Sequence, residues 1–330
     1  MSGKLRVEES LHCSGKILNE NFIPSLKEKD YIVKNYSLDG DSPKKFIRAY
    51  FFTPDSATRR NSRDSWTPYI AKTAEKWYPH ESVIEYMINR IGEVMGLEMN
   101  EIRLMNINGQ IRFLSRYFLN ENEKLIHGAE ICGEHLGDME MAVEIAKNKD
   151  TSRQLFTFEF IKEAIRSVFP QAFEDITSQL VKMLTFDALV GNNDRHFYNW
   201  GVIDTKKKTS KLPTFTPIYD SARGLLWNYS DDNIIKINKS KGQRIEKYIK
   251  EACPRVSIET NTSANHFELI DFLKRYNKDY DKSVINLSNV DKEDQIIKML
   301  TKEFYPLFIR ERCELITLIL RSRFKTIRSI

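Results

Sequence analysis

Several familiar nucleotide-binding and disulfide signatures are missing from this 330-residue sequence. It has no GxxxxGK[ST] segment, which argues against a P-loop NTPase, and neither a GxGxxG loop nor a DFG triplet is present. Cysteine is scarce, and the cysteines are widely spaced without a CxxC pair: Cys13, Cys132, Cys253 and Cys313. That distribution favours reduced thiols over a disulfide framework.

Long apolar runs are missing as well. The longest candidate, LITLIL at 315–320, is far shorter than a membrane span. The N-terminus MSGKLRVEESLHCSGK has no apolar segment of a secretory signal peptide. We therefore predict a cytoplasmic protein without a membrane span, with export as an effector by a route that needs no such signal as the alternative.

The charge balance is mildly basic, with 51 Lys and Arg against 46 Asp and Glu. A net charge of +5 suits a phosphate-bearing ligand but is too small to indicate a dedicated nucleic-acid site. The basic stretch at 236–250 can be a solvated helix face or a surface for nucleic acid or an acidic protein, and the solvated face is favoured. Hydrophobic residues make up 41% of the chain, enough for one large domain or two lobes.

The pattern along the chain changes near residue 119. Before it come short β-rich runs, a hairpin signal at Asn108-Gly109, a polar loop at 53–66 and one amphipathic helix at 82–97. The predicted strands are 31–37, 44–52, 68–72, 101–107 and 111–118. The predicted later elements are helices at 129–147, 155–168 and 173–190, a hairpin of 200–204 with 214–220, and a mostly helical 240–330.

These elements predict an α+β protein with two lobes. The β-rich N-lobe covers 1–118 and the mostly helical C-lobe covers 119–330. A ligand is expected between the lobes.

The stretch GNNDRHFYNWGVI at 191–203 places a cluster of polar side chains between two apolar runs, which is costly unless something binds them. Phosphoryl transfer needs a carboxylate at the acceptor hydroxyl and oxygen ligands for magnesium. Asp194 and Asn199 lie five residues apart on this loop, and Asp220 follows the next hairpin. The competing interpretation is a polar loop with an Asx turn and a helix cap.

Two histidine-containing features leave alternatives open. His196 can act as a base near neutral pH or hold the loop backbone, and the backbone role is favoured because Asp194 already supplies a base. The segment at 127–135 contains two histidines, two glutamates and a cysteine. Its spacing fits no standard zinc site, so an ordinary helix is the preferred interpretation.

The motif Asp194-Arg195-His196-Phe197-Tyr198-Asn199, followed by Tyr219-Asp220, resembles the catalytic and metal-binding motifs of HipA-like serine/threonine kinases. The form NxDRHxxNWG is especially similar to CtkA-type bacterial kinases, and DRHxxN is shared with phosphatidylinositol kinases. The resemblance implies a protein-kinase-like fold, with Asp194 as the base and with Asn199 and Asp220 holding Mg²⁺.

The resemblance also implies an ATP site in the N-lobe and extends over about 37–228. The S-x-x-G segment with a following lysine resembles the phosphate-covering loop, PYIAK resembles the strand of the ATP lysine, and the helix at 82–97 resembles the one whose glutamate pairs with it. Lys34 is a rival for the lysine and Glu81 for the glutamate. The residues implied are Ser37, Gly40, Lys44, Lys72 and Glu85, with Arg116, Tyr117 and Phe118 as the hinge beside adenine.

The function implied by the resemblance is ATP- and Mg²⁺-dependent phosphorylation of a protein on serine or threonine. It includes autophosphorylation, with Ser37 as the candidate site, and a toxin role with an antitoxin partner. The implied substrates are an aminoacyl-tRNA synthetase or another translation factor. The alternatives are a lipid kinase, an ATP-binding pseudokinase and a non-enzymatic interaction module.

Overall fold

A computed structural model describes residues 4–34, 44–52, 58–207, 210–239 and 242–330. The strands are β1 (His12–Cys13), β2 (Tyr31–Lys34), β3 (Lys44–Ala49), β4 (Thr67–Lys72), β5 (Trp77–Tyr78), β6 (Ile102–Ile107), β7 (Gln110–Arg116), β8 (Glu123–His127), β9 (Gly201–Thr205) and β10 (Thr214–Phe215). The helices are α1 (His80–Val94), α2 (Gly128–Leu136), α3 (Met139–Lys147), α4 (Lys149–Leu155), α5 (Phe158–Val168), α6 (Phe173–Val190), α7 (Asp231–Lys239), α8 (Gln243–Glu251), α9 (His266–Tyr276), α10 (Lys278–Ser288), α11 (Val290–Glu303) and α12 (Arg310–Ser329).

A five-stranded antiparallel sheet in the order β2-β3-β4-β7-β6 forms the N-terminal part. The hairpin between β6 and β7 turns at Asn108 and Gly109, which have φ angles of 54° and 78°. Asn and Gly tolerate this left-handed backbone better than other residues, which explains the two-residue turn. Ile47, Ala71 and Leu114 bury one face of the sheet in a small core.

Helix α1 packs on this sheet through the apolar stripe expected from the sequence. Ile84, Met87, Ile88, Ile91 and Met95 are all buried, and they share a core with strand residues and with the later helices. A stripe with this spacing faces one side of a helix, so α1 is held between the sheet and the helical part of the chain. This position brings Glu85 toward the end of β4.

The helical part is built around α6, which is buried along most of its length and contacts α9, α10 and α12. Gly191 ends α6 with a φ of 70°, the left-handed conformation that favours glycine after a helix. The chain leaves α6 at this residue and enters the polar loop. The chain therefore has the α+β composition that the sequence predicts, whereas a boundary at residue 118 stays a prediction.

Some predicted elements need correction. The region after 119 begins with a strand, β8, which pairs antiparallel with β9 and was expected to be helical. The predicted helix at 129–147 is two helices, because Gly137 has a φ of 70° and the side chain of Asp138 caps the next helix. The predicted helix at 155–168 starts at 158 behind a Thr157 cap, and the strand at 214–220 is limited to β10.

None of the described helices is both long and apolar enough to cross a membrane.

Candidate active site

Lys72 lies at the centre of a cluster of charged side chains contributed by three separate parts of the chain. Its Nζ is 2.6 Å from Oδ1 of Asp220 and 3.9 Å from Oε1 of Glu85. Lys72 is the last residue of β4, Glu85 comes from the second turn of α1, and Asp220 follows the β9–β10 hairpin. The structure therefore brings together three residues that are far apart in sequence and that the sequence assigned to one ATP site.

Burial and mutual attraction set the charges of this cluster. Burial alone would lower the pKa of Lys72, but the carboxylates of Asp220 and Glu85 hold that pKa above its ordinary value. Burial would likewise raise the pKa of Asp220, yet the Lys72 ammonium keeps it lowered. For Glu85, burial dominates and raises the pKa to about 8, so its contact with Lys72 is the weaker of the two.

The polar loop after α6 is folded by its own backbone hydrogen bonds. The N–H of His196 donates to the carbonyl of Asp194 at 2.8 Å, and the N–H of Asn199 donates to the carbonyl of His196 at 2.8 Å. The side-chain Nδ2 of Asn199 donates to the carbonyl of Asp194 at 3.0 Å. These bonds turn the loop back on itself, so that the side chains of Asp194 and Asn199 belong to one compact unit.

Arg195 ties this loop to the segment of Asp220 and was missed by the sequence analysis. Its guanidinium is fully buried, forms a bidentate pair with Asp187 at 2.8 and 2.9 Å, and donates to the carbonyl of Asn199 at 3.1 Å. It also donates to the carbonyl of Tyr219 and to Ser221 Oγ. One signal was available, because Asp187 is an acidic residue inside the apolar run of α6 and needs a buried partner.

His196 supports the loop in the way the sequence analysis favoured. Its Nδ1 accepts a hydrogen bond from the N–H of Tyr198 at 3.2 Å. Burial lowers the pKa of His196, although the Asp194 and Asp220 carboxylates oppose that shift, so the ring is neutral at physiological pH. A neutral ring with Nδ1 as an acceptor carries its proton on Nε2.

Both carboxylate oxygens of Asp194 contact arginine side chains. Arg255 Nη2 lies 2.8 Å from Oδ1, and Arg223 Nε lies 3.0 Å from Oδ2. Neither arginine was singled out from the sequence, since one follows α8 and the other belongs to the segment after Asp220. The carboxylate is thus held as an acceptor with a fixed orientation.

Asn199 and Asp220 have the chemistry of a magnesium site. Both are hard oxygen donors, and the bond from Asn199 Nδ2 to a carbonyl directs the amide oxygen away from it. Arg195 holds the neighbouring carbonyls of Asn199 and Tyr219 together. Within the described ranges no group of three or more His, Cys, Asp or Glu side chains could hold a metal. Two hard oxygen donors alone do not complete a metal site, but their chemistry fits Mg²⁺ when phosphate oxygens supply further ligands.

The rival residues have other positions. Lys34 is on the edge strand β2, which β3 separates from β4, so it lies outside the Lys72 cluster. Glu81 accepts hydrogen bonds from the backbone N–H groups of Lys76 and Trp77 at 3.0 and 2.9 Å, which is a structural role. The side chains of His127 and Glu130 form a capping box at the start of α2, in agreement with an ordinary helix.

The remaining predicted ATP-site residues are placed as follows. Lys44 starts β3 directly opposite Lys72, whereas Ser37 and Gly40 lie outside the described residues. In the predicted hinge, the N–H of Tyr117 donates to the carbonyl of Pro68 at 3.0 Å, and the ring of Phe118 lies 5.6 Å from that of Tyr219. The Arg116 side chain pairs with Glu101 at 2.8 Å, its N–H donates to the carbonyl of Glu101 at 2.9 Å, and its carbonyl accepts from Nδ2 of Asn100 at 3.0 Å.

The five-stranded sheet, the α1 helix and the loop after α6 define a protein-kinase-like fold. Residues 36–277 match the family model of the HipA-like C-terminal domain, and the chain belongs to that family. The resemblance drawn from the DRHFYN motif is thereby confirmed.

Two solved structures are similar to this chain. The crystal structure of the proinflammatory kinase CtkA of Helicobacter pylori aligns with a TM-score of 0.64 at 17% identity, covering 80% of this chain and 90% of that chain. HipA of Shewanella oneidensis MR-1, solved with HipB and its operator DNA, aligns with a TM-score of 0.47 at 12% identity, covering 89% and 65%. The CtkA alignment shows a shared fold. No curated protein sequence is similar enough to count as a match.

Proposed function

We propose that this protein is an ATP- and Mg²⁺-dependent serine/threonine protein kinase of the HipA type. The observation that carries the proposal is the position of Lys72 between Asp220 and Glu85, next to a loop that presents Asp194 and Asn199. A lysine, a helix glutamate, two metal-binding side chains and a catalytic aspartate are the parts that phosphoryl transfer requires. Membership of a family of kinases supports the same function.

Each side chain has a role in this proposal. Lys72 binds the phosphates of ATP, and Glu85 from α1 lies beside it. Asn199 and Asp220 hold Mg²⁺, which would neutralise charge on the phosphates when bound. Asp194 orients the serine or threonine hydroxyl and accepts its proton while the hydroxyl oxygen bonds to the γ-phosphorus and the bond to ADP breaks.

The experiment that tests this function is incubation of the purified protein with Mg²⁺ and γ-labelled ATP. Asp194→Asn and Asp220→Asn variants are run in parallel, with Asp232→Asn on the exposed side of α7 as the matched control. Label on wild type and control but on neither site variant supports the function. ATP binding without transfer to the protein itself or to a mixture of cellular proteins identifies a pseudokinase, and absence of ATP binding rejects the ATP site.

The finer parts of the proposal follow from family membership and need their own tests. Autophosphorylation is expected at Ser37, where added negative charge would repel the phosphates of ATP. A toxin role is expected to require an antitoxin partner, and a translation factor such as an aminoacyl-tRNA synthetase is the expected substrate. Mapping the label by mass spectrometry, and growth arrest that depends on Asp194, test these points.

A further inference from the structure

The acceptor side of Asp194 is surrounded by positive charge. Arg223 and Arg255 contact its two oxygens at 3.0 and 2.8 Å. Lys149, at the start of α4, is the third cation of this group: burial lowers its pKa, the nearby Arg255 lowers it further, and Asp194 acts in the opposite direction. We name Arg223, Arg255 and Lys149 the basic triad.

The basic triad is separate from the cations that serve the nucleotide. Lys72 is paired with Asp220 and Glu85, and Arg195 donates its hydrogen bonds to Asp187 and to backbone carbonyls. Arg255 belongs to the segment after α8 and contacts Asp194. The triad therefore lies on the Asp194 side of the site, where an acceptor hydroxyl has to approach.

An acceptor hydroxyl must take one of the Asp194 oxygens, and each is engaged by a guanidinium. A guanidinium that leaves a carboxylate in a partly buried site loses a charge-assisted hydrogen bond unless another anion replaces it. Arg255 is mostly buried, with 18% of its side chain exposed, and its Nε lacks a hydrogen-bond partner among the described residues. This unused donor is buried, so an incoming anion can reach it only when the guanidinium moves away from Asp194.

A cavity lies beside the loop that carries Asp194; its lining includes none of the basic triad but does include Asn193, whose N–H donates to the carbonyl of Arg223 at 3.2 Å. It has a volume of about 420 Å³ and runs from Asn193 between α7 and α8, with Lys236 and Arg244 among its lining residues. The lining carboxylate of Glu251 is 3.6 Å from the Lys247 ammonium. Tyr229 and Leu226 supply apolar surface. A groove that combines cations with aromatic and apolar groups suits an acidic peptide segment.

We propose that the protein substrate is recognised through acidic side chains next to the acceptor serine or threonine, which bind Arg223 and Arg255 and release Asp194 for the hydroxyl. This inference rests on the proposed kinase function. A membrane lipid headgroup is the other source of such an anion. The apolar and aromatic lining of the neighbouring cavity, Leu226 and Tyr229, suits a protein segment better than a lipid headgroup, so a protein segment is favoured.

The first test measures binding without catalysis. Fluorescent peptides carry alanine in place of the acceptor, flanked either by glutamates or by glutamines, and their affinity is measured by fluorescence anisotropy. We expect wild type to prefer the glutamate peptide by about tenfold or more, as hydrogen bonds between charged groups allow. Arg223→Gln and Arg255→Gln should reduce that preference, while Arg275→Gln, on the exposed end of α9, should keep it.

The outcomes separate this inference from the proposed function. Equal binding of both peptides by wild type, or an unchanged preference in both variants, overturns the inference even if the protein phosphorylates itself. If the protein binds phosphatidylinositol phosphate vesicles in preference to the glutamate peptide, Arg223 and Arg255 serve a lipid headgroup, and the inference is likewise overturned. Arg255→Lys keeps the charge and should retain part of the preference for the glutamate peptide. A thermal melt of each variant shows whether a lost preference is due to misfolding.

A catalytic arm separates the substrate from ATP as the anion. With serine-containing versions of the two peptides, the ratio of their kcat/KM values should fall in Arg255→Gln while the affinity for ATP alone is unchanged. A variant that loses ATP affinity and slows on both peptides equally places the arginines on the γ-phosphate and overturns their role in substrate choice. If no peptide is phosphorylated, the anisotropy result stands by itself.

Discussion

The Lys72 ammonium lies 2.6 Å from Oδ1 of Asp220, a residue 148 positions later in the chain. This contact joins the end of strand β4 to the segment after the β9–β10 hairpin, and Glu85 of α1 completes it at 3.9 Å. Three elements that pack on different partners converge on one cation. The cluster is partly buried, with 18% of the Lys72 side chain and 36% of the Asp220 side chain exposed, and a charge cluster of this kind is typical of functional sites.

The first prediction concerns the lysine that binds ATP. Lys72→Met removes the cation from the cluster and leaves Asp220 without its partner, so ATP affinity or kcat/KM should fall by about 100-fold. The matched control is Lys34→Met, which removes a lysine from the edge strand β2 and should change either quantity by less than about twofold. Isothermal titration with Mg²⁺ and ATP measures the ATP affinity of both variants. The reverse ranking would make Lys34 the ATP lysine.

The DRHFYN loop could be predicted from the sequence for a clear physical reason. A dense group of polar side chains between apolar runs has to be satisfied by neighbours or by a ligand, and the spacing of Asp194 and Asn199 fits one folded loop. The hairpin at Asn108 and the stripe on α1 were predictable because their signals are local. Such signals depend on backbone preference and periodicity, which neighbouring residues determine.

Other features depend on contacts between distant residues and were not predictable. Arg255 reaches Asp194 across 61 positions, and a single sequence gives no sign of that pairing. Strand β8 was missed because its five residues carry no clear alternation and its strand pairing comes from β9, a distant segment. Tertiary pairing of this kind overrides the weak local preference of a short segment.

A second prediction concerns the buried pair of Arg195 and Asp187, each with 1% of its side chain exposed. Asp187→Asn keeps the volume but leaves the guanidinium charge uncompensated, so the free energy of unfolding should fall by about 3 kcal/mol. Activity should fall as well, because Arg195 also holds the carbonyls of Asn199 and Tyr219. Urea denaturation measures the stability change.

A surface pair provides the control for this change. Glu163 and Arg166 are about half exposed on α5, and Glu163→Gln should cost less than about 1 kcal/mol. A double variant, Asp187→Leu with Arg195→Met, should lose less stability than Asp187→Asn, because no unpaired charge remains buried. Equal losses for Asp187→Asn and Glu163→Gln would contradict a buried ion pair that carries stability.

A third prediction is a loss of stability in acid that depends on His80. Burial, together with the nearby Arg312, lowers the pKa of His80 to about 3. The unfolded chain takes up a proton below about pH 6.5 that folded His80 does not, so this contribution is present above pH 6.5 and is lost as pH falls. Between pH 7.5 and 5.5 the loss should be about 1.4 kcal/mol.

Comparison at two pH values isolates this effect. His80→Gln loses packing and the contacts with Ser14 at every pH, and that constant cost cancels when pH 7.5 and pH 5.5 are compared. Its stability should decline less on acidification than that of wild type, by about 1.4 kcal/mol. His266 is also buried with a lowered pKa and keeps its own contribution in the variant. If urea denaturation shows that the free energy of unfolding falls equally in wild type and in His80→Gln between pH 7.5 and pH 5.5, the assignment is wrong.

The last prediction distinguishes the two roles considered for His196. Its Nδ1 accepts the N–H of Tyr198, an interaction that an asparagine side chain at the same position can reproduce through its amide oxygen. His196→Asn should therefore retain most of the activity, while His196→Ala should lose about tenfold because the loop that carries Asp194 loosens. Asp194→Asn should lose about 1,000-fold, as expected for removal of a general base.

The pH profile of kcat/KM completes this test, since the pKa of His196 is lowered by burial and its ring is neutral over the working range. If His196 only supports the loop, its replacement lowers kcat/KM at every pH and leaves the apparent pKa of the acid limb, the acidic side of the profile, unchanged. If it abstracts the proton from the acceptor hydroxyl, His196→Asn and His196→Ala should be equally inactive and the acid limb of any residual activity should change shape. Rescue by asparagine alone, with an unmoved acid limb, leaves Asp194 as the base and the histidine as its support.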